Sequence, residues 1–325
     1  IGNIMRDANS ARKYWHFVKL MGRSASHIAL ECALQTHPNA CLISEEVQAK
    51  GQTLAGIVAD LAATVKARAK AGLNFGIVLV PEGLIEFIPS LGVLIGELND
   101  LLAEGSATAA AFAKLAGLAE QIPFAAARLT PAAAETFAGL PDTLKGQLMA
   151  DRDPHGNVQV SKIETEKLLA DMVGAVLKKD AEYKQAGGKF SPQTHFFGYE
   201  GRCAAPSNFD ADYCYRLGYT AATLIGAGRT AYMASVRNVA APASHWEAGG
   251  TPLTMMMNME RRHGHDRPVI RKALVELDGK PFQAFAAERA RWAVETDYVY
   301  PGPIQYFGPT EVCDQANLTL VIERG

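Results

Sequence analysis

Phe75-Gly76-Ile77-Val78-Leu79-Val80-Pro81-Glu82-Gly83 is the stretch that decides the fold of this chain. Residues 75–80 are almost wholly apolar and largely β-branched, without the polar alternation of a half-exposed strand. The pattern predicts a central strand of a parallel sheet, buried on both faces. Ligands of open α/β sheets bind beyond the carboxyl ends of the strands, so Glu82 is a candidate binding residue, and Gly83 would let the backbone pass close to it. An ordinary strand-to-helix turn is the alternative.

The segments before this strand alternate between helix and strand patterns. We expect a helix over 4–15, a strand over 17–20, a helix capped by Ser24 or Ser26 and ended by His37-Pro38-Asn39, a strand over 40–44 that closes on Glu45-Glu46, and a helix over 53–71 capped by Gly72. This alternation predicts an α/β fold, with helices on the faces of a parallel sheet.

The pattern changes after Pro89, because residues 91–150 contain no convincing strand. We predict a helical insertion there, with one helix that starts at Thr130-Pro131. A turn at 153–157 and a capping box, Ser161 to Glu164, would then open a long helix to about Ala181. Further elements are expected as a strand at 195–197, a helix over 207–225, a turn at 226–228, a strand over 230–236, elements over 255–262 and 281–294, and a final strand over 318–322.

Composition excludes several classes of protein. The 325 residues carry a net charge of −2, which offers no electrostatic basis for binding nucleic acid or an acidic membrane. No apolar run is long enough to span a bilayer. Five dispersed cysteines argue against a disulfide framework and for a reducing compartment, so we expect a cytoplasmic protein. The chain starts at Ile1 inside a predicted helix, without an initiator methionine, and we expect it to be a fragment.

Two loops place an arginine after a predicted strand. In Met21-Gly22-Arg23, an arginine and exposed backbone N–H groups near a helix start could bind an anion. Gly198-Tyr199-Glu200-Gly201-Arg202 is a second, glycine-flanked strand end. Two such arginines would suit a phosphorylated substrate, because a guanidinium binds phosphate through two hydrogen bonds. Capped turns with surface arginines are the structural alternative at both loops.

Other motifs do not support a function. The run 261–267, RRHGHDR, has too few metal ligands and is predicted to be a solvated helix end. Gly226-x-Gly228 lacks the third glycine of a dinucleotide fingerprint and precedes a strand, so we predict a turn. Neither a P-loop nor a GxSxG motif occurs. The methionines at 255, 256, 257 and 259 are predicted to fill the core.

An ordered set of motifs along almost the whole chain resembles phosphofructokinases, most closely the long, pyrophosphate-dependent form. The matching stretches are KYWHFVKLMGR (13–23), ASH (25–27), LQTHPN (34–39), PEGLIEFIP (81–89), RDPHGNVQV (152–160), HFFGYEGR (195–202) and PGPIQ (301–305).

The resemblance implies a phosphofructokinase-like α/β fold of three-layer, parallel-sheet domains. Its domain organisation would be a sugar-phosphate-binding domain over 1–92 and 158–205, a helical insertion over 93–157, and segments over 206–325 that complete the donor-binding domain. It further implies a glycolytic enzyme that reversibly transfers a phosphoryl group from pyrophosphate to the 1-hydroxyl of fructose 6-phosphate, giving fructose 1,6-bisphosphate, with Mg²⁺ as cofactor.

The resemblance also assigns roles to individual residues. Met21, Gly22 and Arg23 would line the fructose 6-phosphate site, and Arg23 would also face the transferring phosphoryl group as the only catalytic residue of this chain. Glu82 would accept hydrogen bonds from sugar hydroxyls. Tyr199, Glu200, Gly201 and Arg202 would hold the 6-phosphate end. Lys13 and Tyr14 match positions that the family lends to a neighbouring subunit, which implies at least a homodimer, or a hetero-oligomer with a related subunit.

The family's diphosphate-binding GGDD-type loop and its TIDGD-type motif, with the catalytic aspartate and the Mg²⁺-linked acidic residues, occur nowhere in this chain. We therefore expect no metal ligand here, and expect this C-terminal portion alone to bind the acceptor at best. The residues present leave the donor open. An ATP-dependent 6-phosphofructokinase and a non-catalytic regulatory or sugar-phosphate-binding subunit are the alternative functions.

Overall fold

A four-stranded parallel sheet forms the centre of the chain. The computed structural model describes residues 1–22, 25–150, 157–201, 203–262, 265–301, 309 and 316–324. The strands of the sheet are β1 (Trp15–Leu20), β2 (Ala40–Cys41), β3 (Gly76–Pro81) and β4 (Pro192–Phe197), in the order β2-β3-β1-β4. Strands β1 and β3 are buried along their whole length, which confirms the central, two-sided burial predicted for the stretch at 75–80.

Most of the remaining chain is helical. The helices are α1 (Gly2–Ala11), α2 (His27–Thr36), α3 (Ser44–Ala49), α4 (Leu54–Lys70), α5 (Leu84–Phe87), α6 (Pro89–Leu101), α7 (Ala107–Phe112), α8 (Leu118–Ala126), α9 (Pro131–Ala138), α10 (Asp142–Met149), α11 (Thr165–Lys179), α12 (Ala181–Gln185), α13 (Asn208–Gly226), α14 (Lys280–Val294) and α15 (Leu318–Arg324). None of these helices combines the length and the apolar character that crossing a membrane requires.

Two hydrophobic cores lie on opposite faces of the sheet, because successive side chains of a strand alternate between the faces. Phe17 and Val78 belong to the first core, with helices α4, α6 and α8 to α11. Val18 and Ile77 belong to the second, with α1, α2, α14 and α15. The result is a three-layer α/β/α arrangement, as predicted. Between residues 93 and 150 the structure contains only helices and their connections, which confirms the helical character predicted there.

A buried arginine connects the end of helix α14 to the residue before strand β3. Arg68, at the end of α4, is completely buried. Its guanidinium donates to the carbonyl oxygens of Phe75 (2.9 Å), Val294 (3.0 Å) and Glu295 (2.9 Å). The last two carbonyls end α14, where a helix leaves such acceptors without partners of its own. Burial lowers the pKa of Arg68, which binds only neutral acceptors here.

Two antiparallel hairpins follow α13 and remain largely exposed. The first joins β5 (Tyr232–Arg237) to β6 (Glu247–Pro252) and packs on α13, and the second joins β7 (Met257–Arg262) to β8 (His265–Ile270). The solvated helix end predicted for 261–267 is therefore wrong, since its described residues lie in strands. The predicted methionine core is also wrong, because Met255 is 76% and Met259 62% exposed.

Four other local predictions fail where tertiary contacts override the local pattern. The strand predicted over 40–44 ends at Cys41, and Ser44 already begins α3. Ser26 precedes α2 as expected, but its hydroxyl accepts the N–H of Ser44 instead of capping its own helix. The predicted strand at 318–322 is helix α15, since the Glu31 carboxylate accepts the N–H groups of Leu318 and Thr319 at its start.

The fourth failure is the capping box at Ser161. Helix α11 starts at Thr165, and Ser161 lies in a separate single turn, Val160–Lys162. The carbonyls of Ser161 and Ile163 accept hydrogen bonds from the buried Lys19 ammonium, at 3.1 and 2.7 Å. Because these carbonyls bind a distant cation, this segment does not continue as helix. The helix ends at Lys179, two residues before the predicted end.

Candidate functional site

Three strand ends lie side by side at the carboxyl edge of the sheet. In the parallel register, Leu20 of β1 pairs with Pro81 of β3 on one side and with Phe197 of β4 on the other. Backbone hydrogen bonds continue this alignment one residue further, from Met21 N to Phe197 O and from Glu82 N to Leu20 O, both at 3.0 Å. The three loops singled out from the sequence therefore begin next to one another.

Glu82 and Gly22 are in direct contact at this edge. Glu82 is 2% exposed, and its Oε2 accepts a 2.9 Å hydrogen bond from the backbone N–H of Gly22. Gly22 adopts φ +150°, and a Cβ there would lie 3.2 Å from the carbonyl oxygen of Ala25. Only glycine adopts this conformation readily. Gly83, in contrast, has φ −78°, a value open to any residue, so its backbone conformation does not itself require glycine.

The loop after β4 forms a single helical turn over Tyr199–Gly201. The Gly201 N–H closes the turn on the Gly198 carbonyl at 3.1 Å, and the Glu200 carboxylate accepts the Gly198 N–H at 3.4 Å. Tyr199 is 71% exposed. Glu200 and Gly201 are exposed as well. The three predicted residues of this loop thus present their surface to solvent beside the Met21-Gly22 loop.

Both predicted arginines lie outside the described residues. Arg23 directly follows Gly22, and Arg202 directly follows Gly201. The turn predicted at 153–157 falls mostly outside them too, with residues 151–156. Of the candidate site residues at the carboxyl edge, the structure therefore places Met21, Gly22, Glu82, Tyr199, Glu200 and Gly201 together.

Lys13 and Tyr14 lie at the other end of β1. They precede the first residue of this six-residue strand, so about 20 Å of strand separates them from Met21. Lys13 is exposed and Tyr14 is half-buried. Arg12 and Tyr14 adopt φ +51° and +71°, which non-glycine residues rarely do. Within one chain these residues cannot join Glu82 in one site.

A buried ion pair supports the carboxyl edge, and the sequence-based analysis missed it. Lys19 is 2% exposed, and its Nζ lies 3.3 Å from Oε2 of Glu166 and 4.3 Å from the ring centre of Phe196. Burial raises the pKa of Glu166, and the Lys19 charge opposes that shift. The signal available in the sequence was a lysine between Val18 and Leu20 in an otherwise apolar strand.

A histidine pair was missed as well. Nδ1 of His16 and Nε2 of His195 lie 2.9 Å apart, and the two rings stack with centres 5.1 Å apart. His16 is 6% exposed, and burial is the main cause that lowers its pKa to about 4. The sequence offered only His16, just before the strand predicted over 17–20, and His195, on the strand predicted over 195–197, without any spacing that would join them.

No metal site is found in the part of the chain that the structure describes. None of its histidine, cysteine, aspartate and glutamate side chains form a group of three or more that could hold an ion. Cys32, Cys41, Cys203 and Cys214 carry free thiols, while Cys313 lies outside the described residues. The turn predicted at Gly226-x-Gly228 is confirmed, since α13 ends at Gly226 and Gly228 has φ +67°.

An open groove lies elsewhere, between α13 and β6. It has a volume of about 600 Å³. Tyr215 and Tyr219, two of its lining residues, are 65% and 63% exposed. Ile225, at the end of the same helix, is 76% exposed. This combination is an apolar surface rather than an enclosed pocket.

Comparison with known proteins reveals close relatives along the whole chain. It is 58% identical to a pyrophosphate–fructose 6-phosphate 1-phosphotransferase of Porphyromonas gingivalis, over all of this chain and 58% of that protein. The enzyme of the same name from Treponema pallidum is also 58% identical, over all of this chain and 56% of that protein. The beta subunit of the potato (Solanum tuberosum) enzyme is 51% identical, over all of this chain and 55% of that protein. The chain thus spans just over half the length of these relatives, and no family model matches it.

Proposed function

Because this chain belongs over its whole length to the family of pyrophosphate–fructose 6-phosphate 1-phosphotransferases, we propose that the full-length protein carries out that reaction and that this chain supplies its fructose 6-phosphate side. The phosphoryl group would pass reversibly from pyrophosphate to the 1-hydroxyl of the sugar. The observation that carries the proposal is the contact between Glu82 and Gly22 at the carboxyl edge of the sheet.

The arrangement of this edge fits a sugar phosphate. Glu82 is buried and shares its carboxylate with one backbone N–H, so its remaining acceptor capacity could orient sugar hydroxyls. In the sequence, Arg23 directly follows Gly22 and Arg202 directly follows Gly201, and guanidinium groups bind phosphate strongly. Arg23 would face the moving phosphoryl group, where positioning and charge neutralisation provide most of the catalysis. Met21, Tyr199, Glu200 and Gly201 would complete the wall of the site.

Lys13 and Tyr14 would act on the site of a neighbouring subunit. Their distance from Glu82 along β1 supports a role in another chain rather than in their own. The left-handed conformations of Arg12 and Tyr14 support a functional role, because such strain concentrates at binding sites. The protein would therefore be at least a dimer, either of identical chains or with a related subunit.

The rest of the full-length protein would provide the general base and hold Mg²⁺. The ion would neutralise charge on the diphosphate, and this chain would contribute none of its ligands. We further propose that the segment 206–325 completes the donor-binding domain with the part outside this chain. The exposed apolar side chains of α13 support this, since over 40% of the length of the Porphyromonas gingivalis relative lies outside the part that this chain matches and could cover them.

The test is a donor comparison on the full-length protein. Fructose 6-phosphate is supplied with Mg²⁺ and either pyrophosphate or ATP, and fructose 1,6-bisphosphate is measured, while calorimetry measures the binding of fructose 6-phosphate alone. We expect product with pyrophosphate and little with ATP. Product with ATP only would establish the ATP-dependent alternative. Sugar-phosphate binding without turnover with either donor would establish a non-catalytic subunit, and no binding would overturn the assignment of this chain.

A further inference from the structure

A pair of histidines, His16 buried and His195 half-buried, lies beside Tyr14. His16 is the second residue of β1, and His195 is the fourth of the neighbouring strand β4. Their nitrogens, Nδ1 and Nε2, are 2.9 Å apart. A hydrogen bond between two imidazoles needs one donor and one acceptor, so at least one of the two rings is neutral.

We propose that the His16–His195 pair is a positioning device that holds Tyr14, and with it Lys13, in the conformation offered to the fructose 6-phosphate site of the neighbouring subunit. This inference rests on the proposed function. Neither histidine would touch the substrate. Both would act through Tyr14.

The contacts around Tyr14 carry the argument. Its ring meets the His16 ring edge to face, with centres 6.2 Å apart and planes at 81°. Its carbonyl oxygen accepts the N–H of Gly76 at 3.1 Å. The next residue, Trp15, donates its N–H to the Ser191 carbonyl at 3.0 Å. The segment is thus fixed on both sides, by Gly76 at the start of β3 and by Ser191 just before β4.

The strained backbone explains why such a support is needed. Arg12 and Tyr14 both adopt positive φ, a conformation that is unfavourable for a residue with a side chain and persists only where its surroundings enforce it. Lys13 lies between them and is exposed. The buried His16 ring gives Tyr14 a packing surface, so the exposed Lys13 need not be ordered by the substrate itself.

The surroundings keep the pair neutral near pH 7. Burial, and after it the neighbouring His195, lower the pKa of His16, while Asp7 of α1 raises it less. Burial also lowers the pKa of His195. Nε2 of His16 is buried and has no hydrogen-bond partner, so a second proton on this ring would be poorly solvated. Protonation of both rings would place two cations in contact and remove the acceptor.

Two matched sets of variants test the proposal in the full-length enzyme. His16→Leu and His195→Leu remove the hydrogen bond. His16→Asn and His195→Gln keep a polar atom near the positions of Nδ1 and Nε2. We expect the leucine variants to raise the KM for fructose 6-phosphate about 5- to 10-fold, the loss of one hydrogen bond. The kcat and the KM for pyrophosphate should change by less than about 2-fold, and the amide variants should restore most of the lost affinity. His245→Asn, at an exposed histidine, is the control.

Each result of these measurements either supports or overturns the proposed role of the histidine pair. Leucine variants that fold and keep the wild-type KM for fructose 6-phosphate would overturn the proposal, as would an equal loss in kcat and in both KM values. If the leucine variants do not fold, the pH profile decides. The wild-type KM for fructose 6-phosphate should rise as the pH falls towards 4, the pKa of His16 in the folded chain, and the rise should be smaller in His16→Asn; identical profiles would overturn the proposal. A wild-type enzyme without pyrophosphate-dependent activity would refute the proposed function instead.

Discussion

The backbone N–H of Gly22 and the carboxylate of Glu82, 60 residues apart in the sequence, are joined by a 2.9 Å hydrogen bond. Both residues follow directly on buried strands that pair in parallel, β1 and β3. The bond therefore couples two loops at the edge where the substrate is proposed to bind. It also occupies part of a carboxylate that has almost no access to bulk solvent, since Glu82 is 2% exposed.

Replacing Glu82 by Gln should impair the sugar site alone. The amide oxygen can still accept the Gly22 N–H, but the charge that strengthens hydrogen bonds to sugar hydroxyls is lost, a change of about 1.5–3 kcal/mol. The KM for fructose 6-phosphate should rise about 10-fold or more, while the KM for pyrophosphate stays near the wild-type value. Steady-state kinetics with both substrates, beside the exposed Glu135→Gln as control, provides the measurement. An unchanged KM for the sugar would contradict the role of Glu82, and equal damage to both would point to misfolding.

Removing the Lys19 charge should destabilise the sheet edge strongly. Lys19→Met leaves the buried Glu166 carboxylate without its cation and the carbonyls of Ser161 and Ile163 without their donor. We expect a loss of roughly 3–5 kcal/mol in unfolding free energy, as for other broken buried pairs. The measurement is urea unfolding of the full-length protein, with hydrogen exchange in β1 and α11 to locate the effect.

Two further variants check the cause of that loss. Lys19→Met combined with Glu166→Leu should recover part of the stability, because the unpaired buried charge is gone. Lys70→Met removes a lysine that is half exposed and pairs with Glu182 at the surface, so its unfolding midpoint should barely move. If Lys70→Met is as damaging as Lys19→Met, burial is not the reason for the effect.

The elements that could be predicted from the sequence are those determined by residues close to one another in the chain. The apolar run ending at Val80 predicted a central strand, because a strand that is buried on both faces appears in the sequence as an uninterrupted run of apolar residues. The convergence of Gly22 with Glu82 followed from the parallel arrangement. The start of α11 was not predictable, since the carbonyls before it bind Lys19, which is 142 residues from Ser161 in sequence. The missing side-chain cap of α2 and the helical state of α15 were not predictable for the same reason, because Ser26 and Glu31 accept backbone N–H groups that are remote in the sequence.

Stability should depend on pH through His16. Its pKa is about 4 in the folded chain against 6.5 ordinarily, mainly because of burial, so the unfolded chain binds more protons between these values. Folding is therefore favoured fully above pH 6.5, and this contribution is lost as the pH falls towards 4. Its slope approaches that of one proton, about 1.4 kcal/mol per pH unit. Urea midpoints at pH 7 and pH 5 should differ more for the wild type than for His16→Asn. An equal difference would show that His16 does not contribute to it.

Gly76 should tolerate no side chain, because the Trp15 ring occupies the space. A Cβ at Gly76 would lie 2.5 and 2.6 Å from two carbons of that ring and 2.9 Å from Oδ1 of Asn39. Trp15 is 1% exposed and Asn39 2%, so neither can move into solvent. Overpacking of this kind costs about 1–3 kcal/mol, which we expect for Gly76→Ala in urea unfolding. Gly96→Ala is the matched control, since nothing lies within 4 Å of a Cβ there and alanine favours the helix by up to about 1 kcal/mol.

A third variant identifies the Trp15 ring as the cause. In Trp15→Phe the smaller ring leaves room beside β3, so Gly76→Ala should cost less in that background than in the wild type, a coupling that a double-mutant cycle measures. The loss of unfolding free energy caused by Trp15→Phe alone is measured separately, since Trp15→Phe is one of the two single variants of the cycle. Additive losses would mean that the ring does not exclude the methyl group. In that case the backbone conformation at the start of β3 would be the remaining reason for glycine.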